Sequence, residues 1–75
     1  MAQNSISVRM QERRTELGMS IQQLSESIGT SYSTVYRTET YGDYPHVLTL
    51  CTMAEVLGVS IDWLVGRTEK REVNK

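Results

Sequence analysis

A chain of 75 residues supports one small domain with a modest core, which excludes an active site built in a cleft between lobes. Its apolar fraction of 39% contains no run near the roughly 20 apolar residues of a membrane span, and the start MAQNSISVR has no apolar centre of the secretory kind, so a cytoplasmic setting is expected. The net charge of −1 and pI near 5.7 lack the basic signature of a non-specific nucleic-acid coat.

One cysteine cannot form an internal disulfide, and one histidine with one cysteine cannot supply four zinc ligands; no metal and no cofactor are expected. Cys51 lies in an apolar stretch and reads as a buried core thiol. No nucleophile, base and orienting group occur together, and His46 beside Pro45 reads as surface, so an enzyme is not expected.

Gly18, Gly29, Gly58 and Gly66 each follow a segment with helical spacing and read as helix stops. The first helix, about Ser5 to Leu17, places Ile6, Met10 and Leu17 on one face. Ser20 with Gln23 forms a capping pattern that starts a second helix, whose inward residues are Ile21, Leu24 and Ile28. After the turn at Gly29, Ser31 caps a third helix from Tyr32 to about Thr40, with Val35 as its clearest apolar anchor. Thr40 to Pro45 reads as a loop, with Pro45 preventing the third helix from running on.

From His46 to Leu57 apolar residues recur in steps of three and four, among them Val47, Leu50, Cys51, Met53, Ala54 and Leu57, which predicts the most buried helix. Ser60 caps a short last helix, Ile61 to Val65. Ile61, Trp63, Leu64 and Val65 crowd four large apolar side chains into five positions, which suits a dimer contact; the other reading is that Trp63 closes the core of the single chain. The fold expected is all-α with five helices: a domain over residues 1–66 and a polar, loosely ordered tail over 67–75.

The stretch SIQQLSESIGTSYSTVYRTE, Ser20 to Glu39, is then two short helices joined by a glycine turn, the unit that sets a second helix into the DNA major groove. By spacing alone this is also an ordinary helical hairpin. Met10, Arg14, Gly18 and Ser20, then Gly29, Ser31, Ser33, Thr34, Val35 and Glu39, then Pro45, Leu50, Met53, Ala54, Leu57, Gly58, Val59 and Ser60, align without a gap to a family pattern. Over about Met10 to Leu64 the chain resembles the Cro and phage-repressor (XRE-like) helix-turn-helix family. That resemblance implies a five-helix, lambda-repressor-like DNA-binding domain with helices two and three as the reading unit.

The resemblance also implies an ion pair between Arg14 and Glu39 that ties the first helix to the third. Base reading falls to Ser31, Tyr32, Ser33, Tyr36 and Arg37. Arg37 is the leading candidate, since a guanidinium can bond guanine O6 and N7 together. Ser31 has capping as its competing role, and Tyr36 has packing beside Val35. Ser20, at a helix start where free amides favour an anion, is a candidate phosphate contact together with Thr34, Thr40 and Tyr41.

Three features depart from the family pattern: Ile21 replaces a glutamine after the cap, Gly42-Asp43-Tyr44 replaces a basic loop, and Thr30 and Thr38 replace apolar residues. Residues 5 to 45 carry Arg9, Arg13, Arg14 and Arg37 against Glu12, Glu16, Glu26, Glu39 and Asp43, a slightly acidic balance. The expected function is a sequence-specific regulator of the phage or prophage repressor type, binding a pseudo-palindromic double-stranded DNA operator as a homodimer. The alternative is a protein-interaction module of the antirepressor or antitoxin kind.

Overall fold

The computed structural model describes residues 5–72 as five helices: α1 (Ser5–Glu16), α2 (Ile21–Ile28), α3 (Tyr32–Tyr41), α4 (Val47–Leu57) and α5 (Ile61–Leu64). No strand occurs among the described residues. Expectations for residues 1–4 and 73–75 lie outside them.

Local chemistry sets the helix starts. At α2 the Gln23 amide donates to Ser20 Oγ at 3.0 Å while the Ser20 amide donates to Gln23 Oε1 at 2.8 Å, so two otherwise unpaired donors are satisfied reciprocally. Ser31 and Ser60 cap α3 and α5 by accepting from the Thr34 and Trp63 amides. Gly29 ends α2 at φ +84°, its amide donating to the Ser25 carbonyl, and this left-handed residue makes the tight turn into α3.

Ile6, Met10, Leu24, Val35, Met53, Ala54, Leu57, Val59, Trp63 and Leu64 form one buried core. α3 packs on α1 and α2, α4 on α2 and α5, and α1 on α5. Two apolar residues expected inside are outside. α1 stops at Glu16, so Leu17 falls in the following turn and is exposed; the first turn of α4 overhangs the core, which exposes Val47 with its neighbour Leu48. α4 therefore buries only its later turns, through Met53, Ala54 and Leu57.

The last helix answers its two readings differently at different residues. Trp63 and Leu64 are buried within the single chain, so they close its core, whereas Ile61 stays exposed and Val65 half-buried. The described part of the segment after Gly66 makes polar contacts with the rest of the domain. The Ser60 amide donates to the Arg71 carbonyl at 2.7 Å, and Arg71 donates to Glu16 and Glu12 of α1 at 2.7 to 2.9 Å. Arg9 reaches across to the Trp63 and Thr68 carbonyls. These contacts are chiefly hydrogen bonds and ion pairs, which a polar segment can supply.

Candidate nucleic-acid interface

Helix α3 is held from one side. Val35, Thr38 and Glu39 are its buried residues, and they lie on one face of a helix with 3.6 residues per turn. Thr38 is accommodated there because its hydroxyl donates to the Thr34 carbonyl one turn back, at 3.0 Å. Glu39 receives two parallel bonds from Arg14, Nε to Oε2 at 2.7 Å and Nη2 to Oε1 at 3.0 Å. Arg14 Nη1 donates to the Met19 carbonyl at 2.7 Å, so this arginine braces the approach to α2 as well as the end of α3. The Ser7 hydroxyl, which sequence reasoning missed, donates to the Glu39 carbonyl.

With that face occupied, Tyr32, Ser33, Tyr36, Arg37, Thr40 and Tyr41 are left exposed. Tyr32 and Tyr36, four residues apart, stack with ring centroids 6.1 Å apart, and Tyr41 meets Tyr36 edge-on at 6.3 Å. Tyr36 therefore belongs to an exposed aromatic row and not to the core beside Val35. The loop expected over Thr40 to Pro45 begins later, because α3 continues to Tyr41 and ends at Gly42 with φ +76°, and this extra length brings the third ring into the row.

At the other end of α3 the hydroxyls of Ser31, Ser33 and Thr34 cluster: Ser31 Oγ lies 3.2 Å from Ser33 Oγ and 2.9 Å from Thr34 Oγ1. Ser31 is thus engaged in capping, and Ser33 is exposed beside it. Ser20 is exposed at the start of α2, its oxygen accepting from Gln23 and its hydroxyl proton still able to donate.

The cations divide into two groups. Arg9, Arg13 and Arg14 are consumed internally, Arg13 by donating Nε to the Leu57 carbonyl at 2.8 Å. Arg37, the sole cation between Ser20 and Tyr41, faces outward and pairs with Asp43, Nε to Oδ2 at 3.1 Å. No group of three or more His, Cys, Asp or Glu side chains among the described residues could hold a metal ion. Cys51 is half-buried and free, less enclosed than expected.

A braced pair of short helices, with the second showing a polar and aromatic face, is matched by a family model described as helix-turn-helix over residues 10–64. The chain belongs to the helix-turn-helix family. Its fold is also similar to a solved structure titled the N-terminal DNA binding domain of SinR from Bacillus subtilis: the TM-score is 0.77 at 27% identity, covering 87% of this chain and 96% of that one. The helix-turn-helix unit here is α2 and α3, and the fold is lambda-repressor-like. No helix among the described residues is long and apolar enough to cross a membrane.

Proposed function

We propose that the chain is a sequence-specific double-stranded DNA-binding transcription regulator, a short cytoplasmic repressor of the phage or prophage type that binds a pseudo-palindromic operator as a homodimer. The observation that carries this reading is the division of α3: Val35, Thr38 and Glu39 fasten it to the domain, while Tyr32, Ser33, Tyr36 and Arg37 are exposed to solvent. Such a helix can enter the major groove without unfolding anything. Arg37 bonds a guanine edge, Tyr32 and Tyr36 offer rings to thymine methyl groups, and Ser33 meets a base edge or a phosphate. Ser20, Thr34, Thr40 and Tyr41 are the phosphate contacts, on either side of the reading surface. Family membership and the likeness to the SinR DNA-binding domain support the same reading.

Dimerisation through α5 is supported by the exposure of Ile61 and by the adjoining groove of about 400 Å³, lined by Cys51, Ala54, Val59 and Ile61 among others. Val65 adds a half-buried edge, while Trp63 and Leu64 support the contact from within the subunit core. Two recognition helices would then meet successive major grooves about 34 Å apart.

The test is a titration of the duplex upstream of this gene, repeated over a salt series. Affinity should fall steeply as salt rises. Arg37→Ala should cost about 1 to 3 kcal/mol on the preferred site and relax selectivity at one base pair per half-site. Unchanged affinity and selectivity in that variant would remove Arg37 from the reading surface. The exposed row of Tyr32, Tyr36 and Tyr41, with one cation beside it, favours a second reading in which α3 docks on a protein. A salt-insensitive interaction with no DNA shift would select it.

A further inference from the structure

We propose that Asp43 is a positioning residue for base readout: it holds Arg37 by Nε, aims the two terminal nitrogens of the guanidinium at one base edge, and so sets the preference of α3 for guanine. The inference rests on the DNA-reading function proposed above.

The end of α3 dictates the placement of Asp43. The Gly42 amide donates to the Thr38 carbonyl at 3.0 Å and the Asp43 amide returns to the Arg37 carbonyl at 3.5 Å, with Gly42 left-handed. This is the doubled-back helix ending in which the residue after the glycine lies beside the residue six positions earlier. An apolar contact commonly joins those two positions; here an arginine and an aspartate occupy them, and Arg37 Nε lies 3.1 Å from Asp43 Oδ2. The side chains are 63% and 49% exposed, a setting in which an ion pair adds little to stability. Helix termination alone would be served as well by an apolar pair.

The chemistry of the pair gives it a use. A guanidinium has five N–H donors in one plane, and the Asp43 bond occupies the one on Nε. The four on Nη1 and Nη2 remain for a partner, in the fork that matches guanine O6 and N7. An exposed arginine without such a tether loses more rotamer freedom on binding and can bond a phosphate as readily as a base. The carboxylate has a second effect, because it repels phosphates of every sequence. Asp43 therefore lowers indiscriminate binding while sharpening the preference for one base, which is how specificity is raised against competing sites.

The experiment selects bound duplexes from a randomised double-stranded pool with the whole chain, sequences them, and repeats this with variants whose folding is checked by circular dichroism. The wild type should enrich duplexes with guanine at a fixed position in each half-site, and Arg37→Ala should erase that preference. Asp43→Ala should weaken it by about threefold to fivefold while binding to the unselected pool rises. Asp43→Asn, which keeps an acceptor oxygen for Nε, should retain the preference. An undiminished guanine preference in Asp43→Ala, or equal effects of Ala and Asn, would overturn the positioning role, as would a wild-type preference independent of Arg37. A wild type that enriches no sequence would instead defeat DNA reading itself, and this inference with it.

Discussion

Arg14 donates to both oxygens of Glu39 and to the Met19 carbonyl, so a single side chain from α1 fixes the end of α3 and the approach to α2. The pair is largely enclosed, with side-chain exposures of 14% for Arg14 and 4% for Glu39. Removing one member leaves the other charge buried without its partner, the costly way to break such a pair. Arg14→Ala is expected to destabilise the fold by about 3 to 5 kcal/mol in urea unfolding. Arg14→Lys should recover only part, because an ammonium cannot make two parallel bonds to a carboxylate. An unchanged midpoint in Arg14→Ala would make the pair dispensable. Arg14 and Glu39 were legible through the family pattern. Ser7 was not, since a serine 32 positions from its acceptor carries no mark in sequence that it will meet the Glu39 backbone. In sequence, Gly42-Asp43-Tyr44 shows only as a departure from a basic loop, and the pairing of Asp43 with Arg37 emerges once the chain doubles back after α3.

At the scale of the helices, starts were more legible than ends. A capping serine and its partner amide lie within three residues of each other, so the Ser20 and Gln23 pattern carries its own geometry. Ends depend on what the chain meets next. Pro45 is compatible with several endings of α3, and it is Gly42 that takes the left-handed turn. Gly66 shows why a stop can require glycine on two grounds. It sits at φ +88°, and a Cβ there would collide with the Ser5 side chain at the start of α1. Gly66→Ala should therefore lower stability by more than about 1 kcal/mol, combining backbone strain with a contact that has to give. Thermal unfolding of that variant measures it; a melting temperature equal to the wild type would mean that α1 shifts freely at Ser5.

For the molecule as a whole, the segment following α5 joins the two ends of the described chain. The guanidiniums of Arg9 and Arg71 lie over the Trp63 ring at 5.0 and 4.5 Å from its centroid, and Arg71 bridges to Glu12 and Glu16. The hydrogen bond from Arg71, reinforced by Arg13, holds the Glu16 carboxyl down from its ordinary 4.5 to about 2. A carboxyl with a lowered folded-state value stabilises the fold above its unfolded value, and that contribution is lost as the solution is acidified toward the folded value. Stability should therefore fall between about pH 4.5 and pH 2 in the wild type, and fall less over that window in Glu16→Gln. Urea midpoints across the window provide the check, and parallel curves for the two proteins would refute the linkage.

The sequence by itself determined what neighbouring residues decide: five helical segments, three serine caps, the glycine turn between α2 and α3, and the burial of Val35 as the apolar anchor of α3. These follow from a 3.6-residue period and from bonds that close within one turn. Only the tertiary structure decided that Leu17 and Val47 face out, that Trp63 and Leu64 are used within the chain, and that the polar segment through Arg71 docks on α1. It also decided that three arginines of α1 serve internal bonds, which leaves Arg37 as the cation displayed by α3. The difference is one of range: a cap or a helical face is set by residues a turn away, whereas burial and charge pairing depend on partners brought from distant parts of the chain.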